Sequence, residues 1–255
     1  MTFTTIEILP EEHCDYYLDK IKNFTWQSGD HSAHESIHVL KQNKETAFNT
    51  LYEDMKNKPV CDEIVNRCLD NDKVWSYTLI KDFNAFILNK YDVGDHFKGH
   101  YDGFQMNNQR NDFSFTLFLN DDYKGGELVI EGQTIKPQKG YAVIYPSNQY
   151  HEVKPVLEGT RYAAIAWIRS LVKEDHIRDT ISEILTLREY FKEKYGLEDS
   201  NFLTTQRIIV DPNQNKKLQE QEAFARSTAL EYETSQGAYT IFLSLIHISE
   251  PTRPY

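Results

Sequence analysis

The sequence predicts a mainly β core flanked by helices, and three observations carry this. Residues 76–172 contain six short apolar or alternating runs: Phe83–Tyr91, Phe113–Leu119, Glu127–Ile130, Gly140–Tyr145, Tyr150–Val156 and Thr160–Ile168. Turn chemistry parts them, as in Asp92-Val93-Gly94-Asp95, Gly125-Gly126 and Glu158-Gly159. Many short strands at such spacing fold as a sandwich or barrel, and a double-sheet jelly roll is one such solution. On either side of this region the apolar residues recur three and four apart, the period of a helix face. Finally, 255 residues with 40% hydrophobic content, 16 Tyr and 14 Phe hold ample material for a packed core, which excludes global disorder.

Taken in order, residues 1–75 read as an N-terminal helical support. Pro10 opens a segment with Cys14, Tyr17, Leu18 and Ile21 on one face, proline being tolerated at a helix start. A second segment carries Ala47, Phe48, Leu51, Tyr52 and Met55. Pro59 interrupts it before Val60, Ile64, Val65, Cys68 and Leu69 resume the pattern. The polar stretch Gln27–His38 reads as a loop. Residues 76–172 form the β core, and 173–235 a helical and polar extension. In that extension Ile177, Ile181, Ile184, Leu185, Leu187 and Phe191 share a face, Asp211–Asn215 is a loop, and Lys216–Glu233 reads as a solvated helix. The end, 243–255, is set aside from the fold. Its run Leu243-Ser244-Leu245-Ile246-His247-Ile248-Ser249-Glu250-Pro251-Thr252-Arg253 reads as the conceptual translation of a transposase-based sequencing adapter, and resequencing the source DNA tests this.

Charge and cysteine usage narrow the function. With 28 Lys plus Arg against 39 Asp plus Glu the net charge is −11. Such a chain is repelled by phosphate backbones, so neither nucleic acid nor an anionic membrane is expected as partner. Cys14, Cys61 and Cys68 are odd in number and lack framework spacing, the usage of reduced thiols in a reducing compartment. No signal-like N-terminus and no apolar run of ~20 residues is seen, and a cytoplasmic location is the expectation.

The chemistry concentrates in His96-Phe97-Lys98-Gly99-His100-Tyr101-Asp102-Gly103. In an extended chain residues i and i+2 point to one face, so His100 and Asp102 can present an imidazole and a carboxylate to one point. His151, on a later strand, supplies a third ligand. Two His and one carboxylate on one side of a metal leave positions open, the arrangement of non-haem Fe(II) oxygenases. 2-Oxoglutarate would chelate through two atoms there and leave room for O2. Its far carboxylate needs a fixed cation, and a guanidinium suits it by bidentate bonding. Arg161, ten residues after His151 across the turn at Leu157-Glu158-Gly159, is expected on a neighbouring antiparallel strand. Tyr91 offers a hydroxyl to the same carboxylate.

Each residue alone has a blander reading. His13-Cys14-Asp15 is a second HxD triplet, but it falls in a helix, where i and i+2 diverge. His96 reads as a solvated loop residue, Arg161 alone as an edge-strand charge, and Gly125-Gly126 alone as a hairpin turn. The joint occurrence, in order and on strands, points to the oxygenase.

These residues also resemble the prolyl 4-hydroxylase branch of the 2-oxoglutarate oxygenases, and most closely the bacterial PKHD-type hydroxylases. The resemblance runs from Asn89-Lys90-Tyr91 through His100-Tyr101-Asp102-Gly103, Thr116-Leu117-Phe118-Leu119-Asn120-Asp121 and Gly125-Gly126-Glu127-Leu128. It continues with Tyr145-Pro146-Ser147, His151, Pro155-Val156, Gly159-Thr160-Arg161 and Trp167-Ile168-Arg169-Ser170. It covers about residues 76–185 with a helical flank on each side. It implies a double-stranded β-helix, a jelly roll with Fe(II) at its open end. His100, Asp102 and His151 would be the ligands, Arg161 the 2-oxoglutarate anchor, and Tyr91 a cosubstrate hydrogen-bonder. Trp167, of the same strand parity as Arg161, is expected in the core. The implied reaction decarboxylates 2-oxoglutarate to succinate and CO2 and hydroxylates a substrate C–H, with ascorbate as accessory reductant. Related halogenases replace the carboxylate by a small residue, so Asp102 favours hydroxylation. The substrate implied by the family name is a protein or peptide hydroxylated at proline, with small molecules and free amino acids left open. The Gly103–Asp112 and Gln27–His38 loops are candidate substrate-facing elements. The rival readings are a cupin-like metal-binding jelly roll without turnover and a non-enzymatic sandwich. Cupins usually add further His or Glu ligands on the first motif, and none stands next to His100; a sandwich would not need His, Asp, His and Arg at these spacings.

Overall fold

The computed structural model of the protein describes residues 3–29, 40–46, 58–106 and 108–195. Two antiparallel sheets face each other. The larger runs in the order β1 (Thr4–Glu7), β13 (Tyr141–Pro146), β9 (Phe113–Phe118), β16 (Arg161–Ser170), β5 (Ile80–Tyr91), β4 (Lys44–Glu45), β2 (Gln27–Ser28). The smaller runs β12 (Gln133–Ile135), β11 (Leu128–Ile130), β14 (His151–Val153), β6 (His96–His100), β3 (Lys41–Gln42). Two short ribbons complete the strands, β7 (Gln105–Met106) with β8 (Gln109–Arg110), and β10 (Lys124–Gly125) with β15 (Val156–Glu158). The helices are α1 (Glu11–Ile21), α2 (Lys58–Leu69), α3 (Asp72–Thr78) and α4 (Asp175–Tyr195). The chain divides into a unit Met1–Thr186, which holds both sheets, and a unit Leu187–Tyr255. This is the jelly-roll fold expected from the alternating runs.

Strand alternation decides what each face does. Along β9, Phe113, Phe115 and Leu117 join a core shared with Tyr17, Leu18, Ile21, Ile64, Cys68 and Val74 of the helices. Phe118, on the opposite parity, joins a second core between the sheets with Tyr91, Leu128, Ile130, Val143, Tyr145 and Val153. The larger sheet is therefore buried on both faces, and all six residues of β9 are inaccessible. Phe115, fully buried, packs on Phe83 and Phe86 at ring separations of 5.6 and 6.3 Å. Phe115→Ala would cost about 3–5 kcal/mol through lost contacts and the cavity left behind. The four residues expected on one face of α1, Cys14, Tyr17, Leu18 and Ile21, are the four it buries. In α3 the Asn71 side chain caps the start, accepting from Lys73 N and Val74 N at 2.9 and 3.1 Å, which satisfies two otherwise unpaired donors.

Several details depart from the sequence reading. The N-terminal region is not helical throughout, because Thr4–Glu7 pairs with β13. Only Ile6 of those four residues is buried, so little alternation marks the strand. The Gly103–Asp112 loop contains the β7–β8 ribbon, and His96 begins a strand. Pro59 is the second residue of α2, and the segment it was expected to interrupt lies outside the described residues. The helical segment expected at 47–55, residues 30–38 of the polar loop, 211–233 and 243–255 lie outside the described residues. All three cysteines are free and buried, and among the described residues no helix is long and apolar enough to cross a membrane.

Candidate active site

The two histidines meet because their strands do. β14 and β6 are neighbours, with His151 and His100 directly paired. A register shift follows, so that Phe97 pairs with Val153, two residues on along β14 but three back along β6. This β-bulge turns Phe97 to the same side as His100, and the rings stack at 3.6 Å. Each imidazole places Nδ1 on a backbone carbonyl, His100 on Lys98 O at 2.8 Å and His151 on Gln149 O at 3.0 Å. Carbonyls only accept, so Nδ1 carries the proton and Nε2 keeps its lone pair. Both Nε2 atoms face Asp102, His100 at 3.8 Å from Oδ1 and His151 at 3.8 Å from Oδ2. Burial, followed by the neighbouring His151, pushes His100 down to about 4, which holds the ring neutral, as a metal ligand requires.

Asp102 is fastened from the opposite sheet. Its Oδ2 accepts from Ser114 Oγ at 2.5 Å and from Trp167 Nε1 at 3.0 Å, and Ser114 meets Ser147 at 3.0 Å. Trp167 is thus in the core as expected and also holds a site carboxylate. Tyr145 closes the wall, its ring 5.0 Å from His151. Burial first, then the charge of Asp102, raises its phenol well above the ordinary range. The ligating atoms of His100, Asp102 and His151 lie within 4.8 Å of one another. Three converging lone-pair atoms, too far apart to hydrogen-bond, repel unless a cation lies among them. This donor set fits Fe(II). The His13 triplet does not assemble: Cys14 is buried, while His13 turns to Glu63 at 2.6 Å.

Arg161 lies buried in the larger sheet. It pairs with Tyr91 across β16 and β5 and is 0% exposed. Nε, Nη1 and Nη2 are buried with no well-formed hydrogen bond, and the group that faces them is the neutral Tyr123 hydroxyl, itself unsatisfied, so the charge has no anion within the described residues. Its Cζ lies 5.2 Å from the Tyr91 ring centroid and 4.9 Å from that of Phe118. An unpaired buried charge costs several kcal/mol, so the cation calls for an anion that enters from outside the chain. Burial raises the Tyr91 phenol and Arg161 pulls it part of the way back. It stays protonated at neutral pH, able to donate to a carboxylate. Gly126, at φ 65°, leaves room for this side chain, since a Cβ there would lie 3.1 Å from Arg161 Cδ. The bland reading of Arg161 as an edge charge fails, because β16 is central. One expectation is corrected: Arg161 is not on a strand adjacent to His151. β15 intervenes and the chain crosses to the other sheet.

Residues 86–169 match the 2OG-Fe(II) oxygenase superfamily. A PKHD-type hydroxylase of Prochlorococcus marinus is 30% identical over 207 residues, covering 78% of this chain and 92% of the relative. The chain belongs to the PKHD-type hydroxylases. Another PKHD-type hydroxylase, from Parvibaculum lavamentivorans, is 33% identical over 171 residues, covering 64% of this chain and 76% of the relative. Among solved structures, a prolyl hydroxylase from Trichoplax adhaerens, in complex with a hypoxia inducible factor peptide fragment, shares the fold. Its TM-score is 0.50 at 19% identity, covering 66% of this chain and 83% of that one. As a PKHD-type hydroxylase the chain is an Fe(II)- and 2-oxoglutarate-dependent dioxygenase, and its cofactor and cosubstrates are Fe(II), 2-oxoglutarate and O2.

Ser114, Tyr145, Ser147 and Phe97 were not singled out from sequence. The signal was present for Ser114: in Phe113-Ser114-Phe115-Thr116-Leu117-Phe118 the small polar residues share one parity. A polar face inside a buried strand marks something to hydrogen-bond.

Proposed function

We propose that His100, Asp102 and His151 hold Fe(II), and that Arg161, assisted by Tyr91, holds the far carboxylate of 2-oxoglutarate. The hydroxylated C–H then belongs to a residue of a protein or peptide, a prolyl residue foremost, in a cytoplasmic setting. The observation that carries this is the guanidinium of Arg161, fully buried with no anion to meet it among the described residues. A metal-binding jelly roll without turnover would leave that charge unexplained.

Each residue has a role set by its surroundings. The Lys98 and Gln149 carbonyls fix the tautomers of His100 and His151, so both rings bind through Nε2. Ser114 and Trp167 occupy Oδ2 of Asp102 and orient it, leaving Oδ1 less encumbered for the metal. Phe97, stacked on His100, and Tyr145, beside His151, exclude water from the inner side. Arg161 and Tyr91 supply a charge and a hydroxyl at fixed positions, and a five-carbon diacid is selected by its ability to reach both ends. Iron, 2-oxoglutarate and O2, once bound, would supply an oxidative decarboxylation in which one oxygen atom of O2 enters succinate, CO2 leaves, and the other oxygen atom becomes the substrate hydroxyl.

The test needs no substrate. Protein prepared without oxygen is given Fe(II) and then 2-oxoglutarate, and its visible absorption is recorded for the wild type, Asp102→Ala and Arg161→Ala. A charge-transfer band that requires both additions, vanishes in Asp102→Ala, and needs far more 2-oxoglutarate in Arg161→Ala is expected. Unchanged 2-oxoglutarate affinity in Arg161→Ala would overturn the anchor, and a persistent band in Asp102→Ala would overturn the ligand set.

A further inference from the structure

Between Asp102 and Phe113 the chain crosses from the smaller sheet to the larger. Asn111, near the end of the crossing, reaches back to its start. Its side-chain Nδ2 donates to Gly103 O at 2.8 Å, and its backbone N–H donates to Phe104 O at 3.0 Å. One residue thus holds the two carbonyls that directly follow Asp102. Asn111 is buried and is itself held. Asn84 Nδ2, from β5, donates to Asn111 Oδ1 at 2.7 Å and to Met106 O of the β7–β8 ribbon at 2.9 Å. Backbone carbonyls cannot donate, so an amide nitrogen must face each of them, which fixes the orientation of both asparagine side chains. Asp112, the next residue, is bound into the larger sheet. Its N–H donates to Ile168 O at 3.0 Å and its carbonyl accepts from Ser147 N at 3.1 Å. Asn111 is therefore a post set in the larger sheet that grips the turn carrying Asp102.

The place of these bonds decides what they do. Ser114 and Trp167 hold the carboxylate end of Asp102, and the Gly103 and Phe104 carbonyls lie on its backbone end. A side chain held at its tip alone can still rock about a shifting Cα, whereas one held at both ends keeps its direction. A metal site depends on such support, because small errors in ligand position cost affinity. We propose that Asn111, steadied by Asn84, is a positioning residue for Asp102. It sets the backbone from which the carboxylate projects, so that Oδ1 meets the iron without rearrangement. This rests on the assignment of Asp102 as an iron ligand above. A buried amide is costly unless its groups are paired, and Asn111 directs its donors to the two carbonyls nearest that ligand.

The experiment titrates Fe(II) anaerobically into the full chain by calorimetry, then adds 2-oxoglutarate and records the visible band with both at saturation. Asn111→Leu keeps the branched shape but cannot donate to Gly103 O, and Asn111→Ala removes the side chain. Both are expected to bind Fe(II) about tenfold more weakly than wild type, with a displaced band, because the carboxylate meets the iron at a changed angle. Asn84→Ala moves both readouts in the same direction by less. Thr78→Val is the control for lost stability alone. It removes a buried hydroxyl that donates to Val74 O at 2.7 Å within α3, so it lowers the melting temperature and leaves Fe(II) affinity and the band as in wild type. Wild-type affinity and an unmoved band in folded Asn111→Leu overturn the inference and reduce Asn111 to closing a loop. Where neither Asn111 variant folds, Asn84→Ala decides on the same two readouts. Asp102→Ala separates the two assignments: undiminished Fe(II) binding there faults the ligand set, whereas a loss there beside unchanged Asn111 variants faults only this inference.

Discussion

The Trp167 indole and the Asp102 carboxylate are joined across the sandwich, Nε1 donating to Oδ2 over 3.0 Å. Trp167 belongs to β16 in the larger sheet, and Asp102 follows directly on β6 in the smaller. Hydrogen bonds to a metal-binding carboxylate orient it, and their loss typically lowers metal affinity ten- to a hundredfold. Trp167→Phe, which keeps an aromatic ring but removes the donor, should weaken Fe(II) binding by about tenfold while the protein stays folded. Anaerobic calorimetric titration reads this directly. Affinity equal to wild type would mean that Ser114 alone positions the carboxylate.

Gly126 supports a test of the Arg161 pocket from its wall. Gly126→Ala adds a methyl 3.1 Å from Arg161 Cδ at a φ of 65°. The strained backbone should cost on the order of 1–3 kcal/mol of stability. The displaced guanidinium should also raise the 2-oxoglutarate concentration needed for half-saturation, with Fe(II) affinity unaffected. A stability loss with no change in 2-oxoglutarate affinity would show that the side chain absorbs the intrusion.

The cysteines should be inert in the folded state. Burial pushes Cys14, Cys61 and Cys68 each up to about 12, and only the thiolate is nucleophilic. At pH 8 the native protein should resist iodoacetamide for hours, while the urea-unfolded chain takes up three equivalents. Rapid labelling of any one cysteine under native conditions, located by mass spectrometry, would contradict its burial.

Asp112 is a buried hub. It accepts from Arg110 Nε at 2.7 Å, Arg178 Nη1 at 3.1 Å and Ser170 N at 2.8 Å, with only 4% of its side chain exposed. Asp112→Asn preserves shape but removes the buried negative charge that faces Arg110 and the nearly inaccessible Arg178, whose other carboxylate, Asp175, lies at 3.8 Å and is exposed. Removing one partner of a buried pair costs about 3–5 kcal/mol. Urea unfolding should show a correspondingly lower midpoint with unchanged slope. A midpoint at the wild-type value would place the Arg178 charge on the Val172 and Lys173 carbonyls, which it also reaches.

What was legible in the sequence follows from which forces act locally. The HxD pair needs only the two-residue repeat of an extended chain, and His151 and Arg161 stood out because charged or ligating groups in apolar strands demand a reason. The pairing of Tyr91 with Arg161 on β5 and β16 was not legible, because nothing local tells which of six runs becomes whose neighbour. The polar parity of Ser114 was legible but its partner was not, and Trp167 was legible only as core, because contact with Asp102 depends on how two sheets approach, a distance no spacing encodes. The same limit explains Arg161, read as a near neighbour of His151. β15 looked like part of a turn, so the passage of the chain from one sheet to the other went unseen.

His100 and His151 are rooted in the smaller sheet, while the carboxylate that completes their set is gripped by side chains of the larger one. The two halves of the sandwich are consequently riveted at the reaction centre. The mouth cannot gape by separating its layers without first tearing Asp102 from Ser114 and Trp167.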